Sequence, residues 1–313
     1  MSELESIGGR RDAIRQLAGI GTLLAMGQVR AAEKPIRSGM LERTIPRSGE
    51  ALPVIGLGTY DAFDVGASQA DRAPLGEVLE VLVEQGGSLV DSSPMYGRAE
   101  EVVGTLLSEM AAHGKAFLAT KVWTSGEAAG IKQMQASAAK MRAPAIDLMQ
   151  IHNLVDWRTH LRTLRAWKAQ KKFRYIGITH YTDPALDELA AVIRAERIDF
   201  VQFGYSIASR AAEARLLPLC ADRGVAVLVN QPFDSGALFG QVRGKALPDW
   251  AADVDCASWS QFFLKFILGH PAVTCVIPGT ARPDHARDNL AAGTGRLPDA
   301  AQRQRMAAFW DGL

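Results

Sequence analysis

Asp91, Tyr96, Lys121 and His152 stand at the ends of three successive apolar runs. Together they have the makings of a proton-delivery site. A tyrosine phenol ordinarily titrates near about 10. A neighbouring ammonium stabilises the phenolate and lowers that value. Tyr96 could then give a proton to a carbonyl oxygen near neutral pH. Asp91 would pair with Lys121 and hold it, and His152 would hydrogen-bond the carbonyl oxygen and orient it. No side chain supplies a hydride, whereas a nicotinamide cofactor does. Taken singly, each residue has a plainer reading: a loop aspartate, a solvated lysine, a structural histidine, a rim aromatic. Four of them on consecutive strand ends are hard to ascribe to coincidence.

The elements that must position these residues follow from the spacing of apolar and breaker residues. From about residue 40, short β-branched runs alternate with longer helical stretches. The candidate strands are Val54–Gly58, Ser88–Asp91, Phe117–Lys121, Ile146–His152, Tyr175–Ile178, Ile198–Phe203, Val225–Val229 and Val273–Ile277. Such runs suit strands buried on both faces. Helices are expected over Pro74–Gln85, Ala99–Ala112, Gly130–Met141, Trp157–Lys171, Pro184–Ala195, Ala212–Ala221, Ala257–Leu268, Arg282–Ala291 and Asp299–Phe309. Pro74 would sit in a first turn, and Asp183 would cap the helix opened by Pro184. Strict strand–helix alternation predicts a single-domain α/β fold, a closed parallel (β/α)8 TIM barrel, with an open doubly wound sheet as the alternative. Met40–Ile45 and Ala51–Val54, flanking Arg47-Ser48-Gly49, predict an N-terminal β-hairpin across the barrel floor. In such barrels function sits at the C-terminal strand ends, where the four residues fall.

Composition narrows the function class. A formal net charge of +1 over 313 residues, with 22% charged, gives no field for nucleic acid. Cys220, Cys256 and Cys275 are odd in number and widely spaced, so they read as buried apolar residues and no metal site is expected. No apolar run reaches membrane-spanning length, so no membrane span is expected. The N-terminus carries Arg10-Arg11, a weakly apolar Leu17–Met26 and small residues at Ala31-Ala32. That order resembles a twin-arginine export signal, which implies a signal peptide over 1–32, contact with the export machinery and a periplasmic enzyme that folds before transport. The alternatives are an N-terminal extension, or translation from Met40, on a cytoplasmic protein. The catalytic domain is read as 40–313.

Several blocks resemble those of aldo-keto reductases: Asp91-Ser-Ser-Pro-Met-Tyr96-Gly97, Ala119-Thr-Lys121-Val122 and Asp147-Leu-Met-Gln-Ile-His152-Asn153. Val54-Ile-Gly-Leu-Gly58-Thr-Tyr60, Phe173-Arg-Tyr-Ile-Gly177-Ile-Thr-His-Tyr181, Gln202-Phe-Gly-Tyr-Ser206 and Ile277-Pro-Gly-Thr280 through Asn289-Leu290 follow in the family's order. The resemblance implies NADPH-dependent reduction of an aldehyde or ketone by a monomeric oxidoreductase with a small-molecule substrate. It makes Tyr96 the acid, with Lys121 and Asp91 tuning it and His152 guiding the substrate. It implies that Thr179 and Gln202 hold the nicotinamide carboxamide, with His180 in the same block. Gly58 and Thr59 at the first strand and Asn230, Gln231 and Phe233 after the seventh would also face the NADP(H). Asp288 and Asn289 would meet the adenosine end. Thr280 and Arg282 would lie near the 2′-phosphate, where a guanidinium suits an oxyanion, and Gly279 near the phosphates.

The departures are specific. His180 stands where many members have asparagine, and Asn230 where many stack an aromatic ring on the nicotinamide. Gly279 and His285 stand where some members place further phosphate-binding cations. These changes leave open a second reading, a nucleotide-binding sensor or partner subunit with little turnover. Trp123 and Trp157 could line a substrate pocket or merely pack between loops, and Phe262, Phe263 and Phe266 read as core. Gly19-Ile-Gly21 lacks the third glycine and preceding strand of a Rossmann fingerprint. Ser137-Ala-Ala-Lys140 has an acyl-transferase spacing but lies mid-helix, on what reads as a solvated face.

Overall fold

The structure, a computed structural model, describes residues 39–143 and 145–313; the export-signal reading falls outside them. The chain opens with a hairpin of β1 (Glu42–Thr44) and β2 (Ala51–Pro53), antiparallel, turning at Gly49 with φ +73°. The alternation then runs β3 (Leu57–Gly58), α1 (Gln69–Glu84), β4 (Leu89–Asp91), α2 (Ala99–Glu109), β5 (Phe117–Val122), α3 (Glu127–Lys140), β6 (Ile146–His152) and α4 (Trp157–Ala169). It continues through β7 (Phe173–His180), α5 (Leu186–Ala195), β8 (Phe200–Gly204), α6 (Leu216–Arg223), β9 (Ala226–Asn230), α7 (Ala237–Gln241), α8 (Trp259–Leu268), β10 (Cys275–Val276), α9 (Pro283–Ala291) and α10 (Ala300–Asp311).

Strands β3 to β10 form one eight-stranded parallel sheet in sequence order. Two parallel bridges, Ile55 to Val276 and Gly58 to Gly279, join its first and last members and close the (β/α)8 barrel. Glycine is required at this seam. A Cβ on Gly58 would stand 2.8 Å from the Ile277 carbonyl oxygen.

The two-residue period of the strands sorts their side chains. Val90, Leu118, Met149, Ile151, Ile178 and Val201 face outward, into the core shared with the helices. Leu89, Phe117, Leu148, Tyr175, Phe200 and Leu228 face inward, in a lower interior layer sealed by Ile45 and Leu52 of the hairpin. The hairpin is anchored by Arg43, whose guanidinium donates to the carbonyls of Leu268, at the end of α8, and of His270 (2.8 Å) and Val273 beyond it. One or two inward positions further up each strand, the same parity carries Asp91, Lys121, Gln150, Thr179, Gln202 and Asn230.

Three local expectations are corrected. Helix α1 starts five residues before Pro74, capped by the Ser68 hydroxyl. Pro74 lies inside it on the exposed side, where the Ala70 carbonyl deprived of its N–H partner reaches water. Asp183 caps nothing; its carboxylate accepts from the Ser209 hydroxyl at 2.9 and 3.0 Å, and a 3₁₀ turn, Asp183–Ala185, precedes α5. Ser137 is not solvated but buried on the inner face of α3. The three cysteines are buried and free, and Phe262, Phe263 and Phe266 are buried in the core. No described helix is long and apolar enough to cross a membrane.

Candidate active site

Asp91 ends β4, Lys121 is the penultimate residue of β5, and their register brings them together inside the barrel. The Lys121 ammonium donates to Asp91 Oδ2 at 2.5 Å and to the Ser92 carbonyl at 2.8 Å, and it is fully buried. Burial pulls the pKa of this amine down. Asp91, and after it Tyr96, overcome that penalty and hold Lys121 above its ordinary value. The other oxygen, Asp91 Oδ1, accepts from Gln150 Nε2 at 3.0 Å and from Gln202 Nε2 at 2.9 Å. Gln202 Oε1 in turn accepts from Asn230 Nδ2 at 3.2 Å. A buried ion pair costs desolvation unless its remaining lone pairs are satisfied, and the amides of Gln150 and Gln202 supply that.

Tyr96 follows on the loop after β4, where Gly97 takes φ +55° and its Cα crowds the Asp64 carboxylate too closely for a side chain. The Lys121 ammonium lies 4.9 Å from the Tyr96 ring centroid. The ring meets His152 edge-on at 5.8 Å and Tyr60 at 5.1 Å. Burial lifts the phenol above its ordinary 10.0, and the Lys121 charge offsets only part of that rise. Lys121 pulls in the expected direction, but desolvation outweighs it, so the Tyr96 phenol stays protonated through neutrality.

His152 ends β6, 6% exposed, with Nδ1 3.0 Å from the Ser93 hydroxyl. That hydroxyl oxygen also accepts the Met95 backbone N–H at 3.4 Å. In the tautomer with the imidazole proton on Nε2, the hydroxyl donates to Nδ1. Burial, then the Lys121 charge, depress the His152 pKa to about 2, which keeps the ring neutral. His152 is thus a neutral imidazole beside a protonated phenol. The arrangement can polarise and protonate one oxygen atom. Among the described residues no group of three or more His, Cys, Asp or Glu converges as a metal site.

The sequence model of the Aldo/keto reductase family matches residues 54–309. The chain belongs to that family. It is 27% identical over 260 residues to the methylglyoxal reductase YeaE of Escherichia coli, covering 80% of this chain and 89% of that one. It is 25% identical over 269 residues to an NADH-specific methylglyoxal reductase of Escherichia coli, covering 69% and 81%. An aldo-keto reductase of Klebsiella pneumoniae solved in complex with NADPH has the same fold, with a TM-score of 0.71 at 22% identity, covering 87% of this chain and 96% of that one. An aldo-keto reductase of Bacillus halodurans in its holo form superposes at 0.70, with 21% identity and 86% and 96% covered.

In this aldo/keto reductase the residues read for cofactor contact divide into two groups. Thr179, buried, pairs in register with His152 on one side and Gln202 on the other, so the three share one rim. Asn230 Oδ1 there is buried and unpartnered, a waiting acceptor that a carboxamide N–H would satisfy. Gly279, Thr280 and Arg282 lie together after β10, and Asp288 and Asn289 follow on α9. The remaining residues, and Asp288 and Asn289 as well, hold contacts within the chain. Thr59 is buried, and its hydroxyl donates toward the Asp91 carbonyl and Ser92 at 3.0 Å, so it braces β4. Its neighbour Gly58 serves the closing seam. His180 stacks on Tyr181 and accepts from the Thr182 N–H at 3.3 Å, off the inward parity of Thr179. Phe233 packs against Phe239, with ring centroids 4.9 Å apart. Gln231 is exposed at φ +49°. Asp288 accepts from Ser258 and Gln261, both at 2.7 Å, and Asn289 accepts from Ser260, which ties α9 to α8.

Sequence reasoning passed over Gln150 and Ser93. Both were findable: Gln150 has the inward parity of His152, and Ser93 stands two residues past Asp91. Trp123 is exposed at the rim, 6.4 Å from His152, whereas Trp157 packs against the core under the Arg158 guanidinium.

Proposed function

We propose that this chain reduces the carbonyl of a small aldehyde or ketone to an alcohol, with Tyr96 as proton donor and NADP(H) as cofactor. The observation that carries this reading is the buried cluster in which Lys121, fixed by Asp91, lies against Tyr96, while neutral His152 is edge-on to it. When bound, the nicotinamide supplies the hydride. The chain does the rest. His152 Nε2–H would bind the carbonyl oxygen and set its position. Tyr96 would pass its proton to that oxygen as negative charge grows on it, and Lys121 would steady the phenolate left behind. The ion pair and its amide collar keep that charge fixed without solvent reorganisation. Asn230 Oδ1 and Thr179 would hold the carboxamide, with Gly279, Thr280 and Arg282 at the phosphate end. The relatives named as methylglyoxal reductases support a small carbonyl substrate.

A second reading, a nucleotide-binding protein with little turnover, is favoured by the absence of a stacking ring at Asn230. Tyr96→Phe separates the two. Turnover of a reactive aldehyde with NADPH should fall roughly a hundredfold or more while nucleotide binding, followed by tryptophan fluorescence, persists. Equal turnover in the variant would sink the mechanism. Undetectable turnover by the parent with intact binding would favour the second reading. Export through the twin-arginine machinery, read from residues 1–32, belongs to the same proposal; fractionation of cells producing the full chain tests it.

A further inference from the structure

Between β10 and α9, the cation read for the 2′-phosphate already has a partner. Arg282 Nε donates to Asp284 Oδ1 at 3.1 Å, and Nη2 donates to Oδ2 at 2.6 Å. Both side chains are exposed, at 65% and 60%. Asp284 lies in the first turn of α9, so its carboxylate also occupies the region where that helix's N-terminus attracts anions. It is held at about 2 by the Arg282 hydrogen bonds, and so is charged throughout the neutral range. The Thr280 hydroxyl accepts the Arg282 N–H at 3.1 Å, fixing the turn that presents the pair.

A phosphate dianion arriving here meets a guanidinium whose fork is filled and a carboxylate that repels it. An exposed pair of this kind exchanges partners readily, so the phosphate can still win Arg282, at a cost. An unmodified ribose meets something different: a carboxylate is the natural acceptor for a 2′-hydroxyl, as in dinucleotide folds that place an acidic residue there.

Resting on the nucleotide reading above, we infer that Arg282 and Asp284 form a two-sided site for the ribose 2′ position, Arg282 taking a 2′-phosphate and Asp284 accepting from a free 2′-hydroxyl. The chain then uses NADH as well as NADPH, and Asp284 is the residue that levels their affinities.

The test is a tryptophan-fluorescence titration of the full-length protein with NADPH and with NADH, in the parent and in Asp284→Asn, at one fixed ionic strength. The parent should bind the two within about tenfold of each other. Asp284→Asn should tighten NADPH and not NADH, moving the affinity ratio by about three- to tenfold, the scale of a surface charge contact. Adding Arg282→Ala should erase that gain, whereas Arg287→Ala, one turn along α9, should not. An unchanged ratio in Asp284→Asn, or a gain erased by Arg287→Ala and not by Arg282→Ala, overturns the inference and leaves the cofactor reading standing. Failure of the parent to bind either nucleotide overturns both.

Discussion

Asn230 donates to Gln202 at 3.2 Å, and Gln202 donates onward to Asp91 at 2.9 Å. The position where the family resemblance leads one to expect a ring is thus part of the polar lattice around the Asp91 carboxylate. Asn230→Leu should strand the Gln202 oxygen and destabilise the fold by about 1–2 kcal/mol, read by urea unfolding. It should also weaken nicotinamide nucleotide binding. A variant with parent-like stability and affinity would show that the lattice ends at Gln202.

The Lys121–Asp91 pair should behave asymmetrically. Lys121→Met leaves a buried carboxylate without its cation and should cost about 3–5 kcal/mol, whereas Lys121→Met with Asp91→Asn should recover much of that loss. Denaturant unfolding of both single variants and the double variant gives the coupling. Strict additivity would mean the pair is not the organising interaction of the site. All three should lose turnover.

The pH dependence of reduction follows from two displaced groups. Tyr96 must be protonated to act, and burial raises its pKa above 10.0, so activity should hold through neutrality and decline only in the strongly alkaline range. His152, at about 2, adds no limb between pH 5 and 8. A kcat/KM profile with an alkaline limb near pH 7 to 8 would mean that Lys121 outweighs burial after all.

His152 should also make stability depend on acidity. Its folded pKa lies far below its ordinary 6.5, so only the unfolded chain takes up a proton as pH falls through 6.5. The histidine's contribution is whole above 6.5 and is lost toward pH 2, at about 1 kcal/mol per pH unit. Between pH 6.5 and 5, urea unfolding of the parent should therefore lose more stability than that of His152→Gln. Parallel losses would show that His152 is not held neutral.

The barrel and the four central residues were legible because strand parity and strand ends are written locally: β6 begins and ends where its apolar run does, and Asp91, Lys121 and His152 share one parity. What was not legible is where a side chain spends its hydrogen bonds. Thr59 and His180 sit in nucleotide-facing blocks, yet Asp91 and Thr182 claim them across or beside the strand ends. Pro74 misled because proline marks a first turn only when the carbonyl four residues back cannot be hydrated. The sign of the Tyr96 shift depends on depth of burial, which the sequence expresses only through the whole fold.

The seam at Gly58 and Gly279 joins the first and last strand segments of the barrel, far apart along the chain, and it does so through isolated bridges. Ring closure of that kind has a high contact order and pays its loop entropy before any pairing rewards it. The strands from β4 to β9 can accrete neighbour by neighbour, each meeting the one made before it. The last and first cannot, and Arg43 ties the floor to the segment that follows α8. The hairpin floor and the rim that carries Asp91, Lys121 and His152 are therefore both complete only when the two ends of the ring have met.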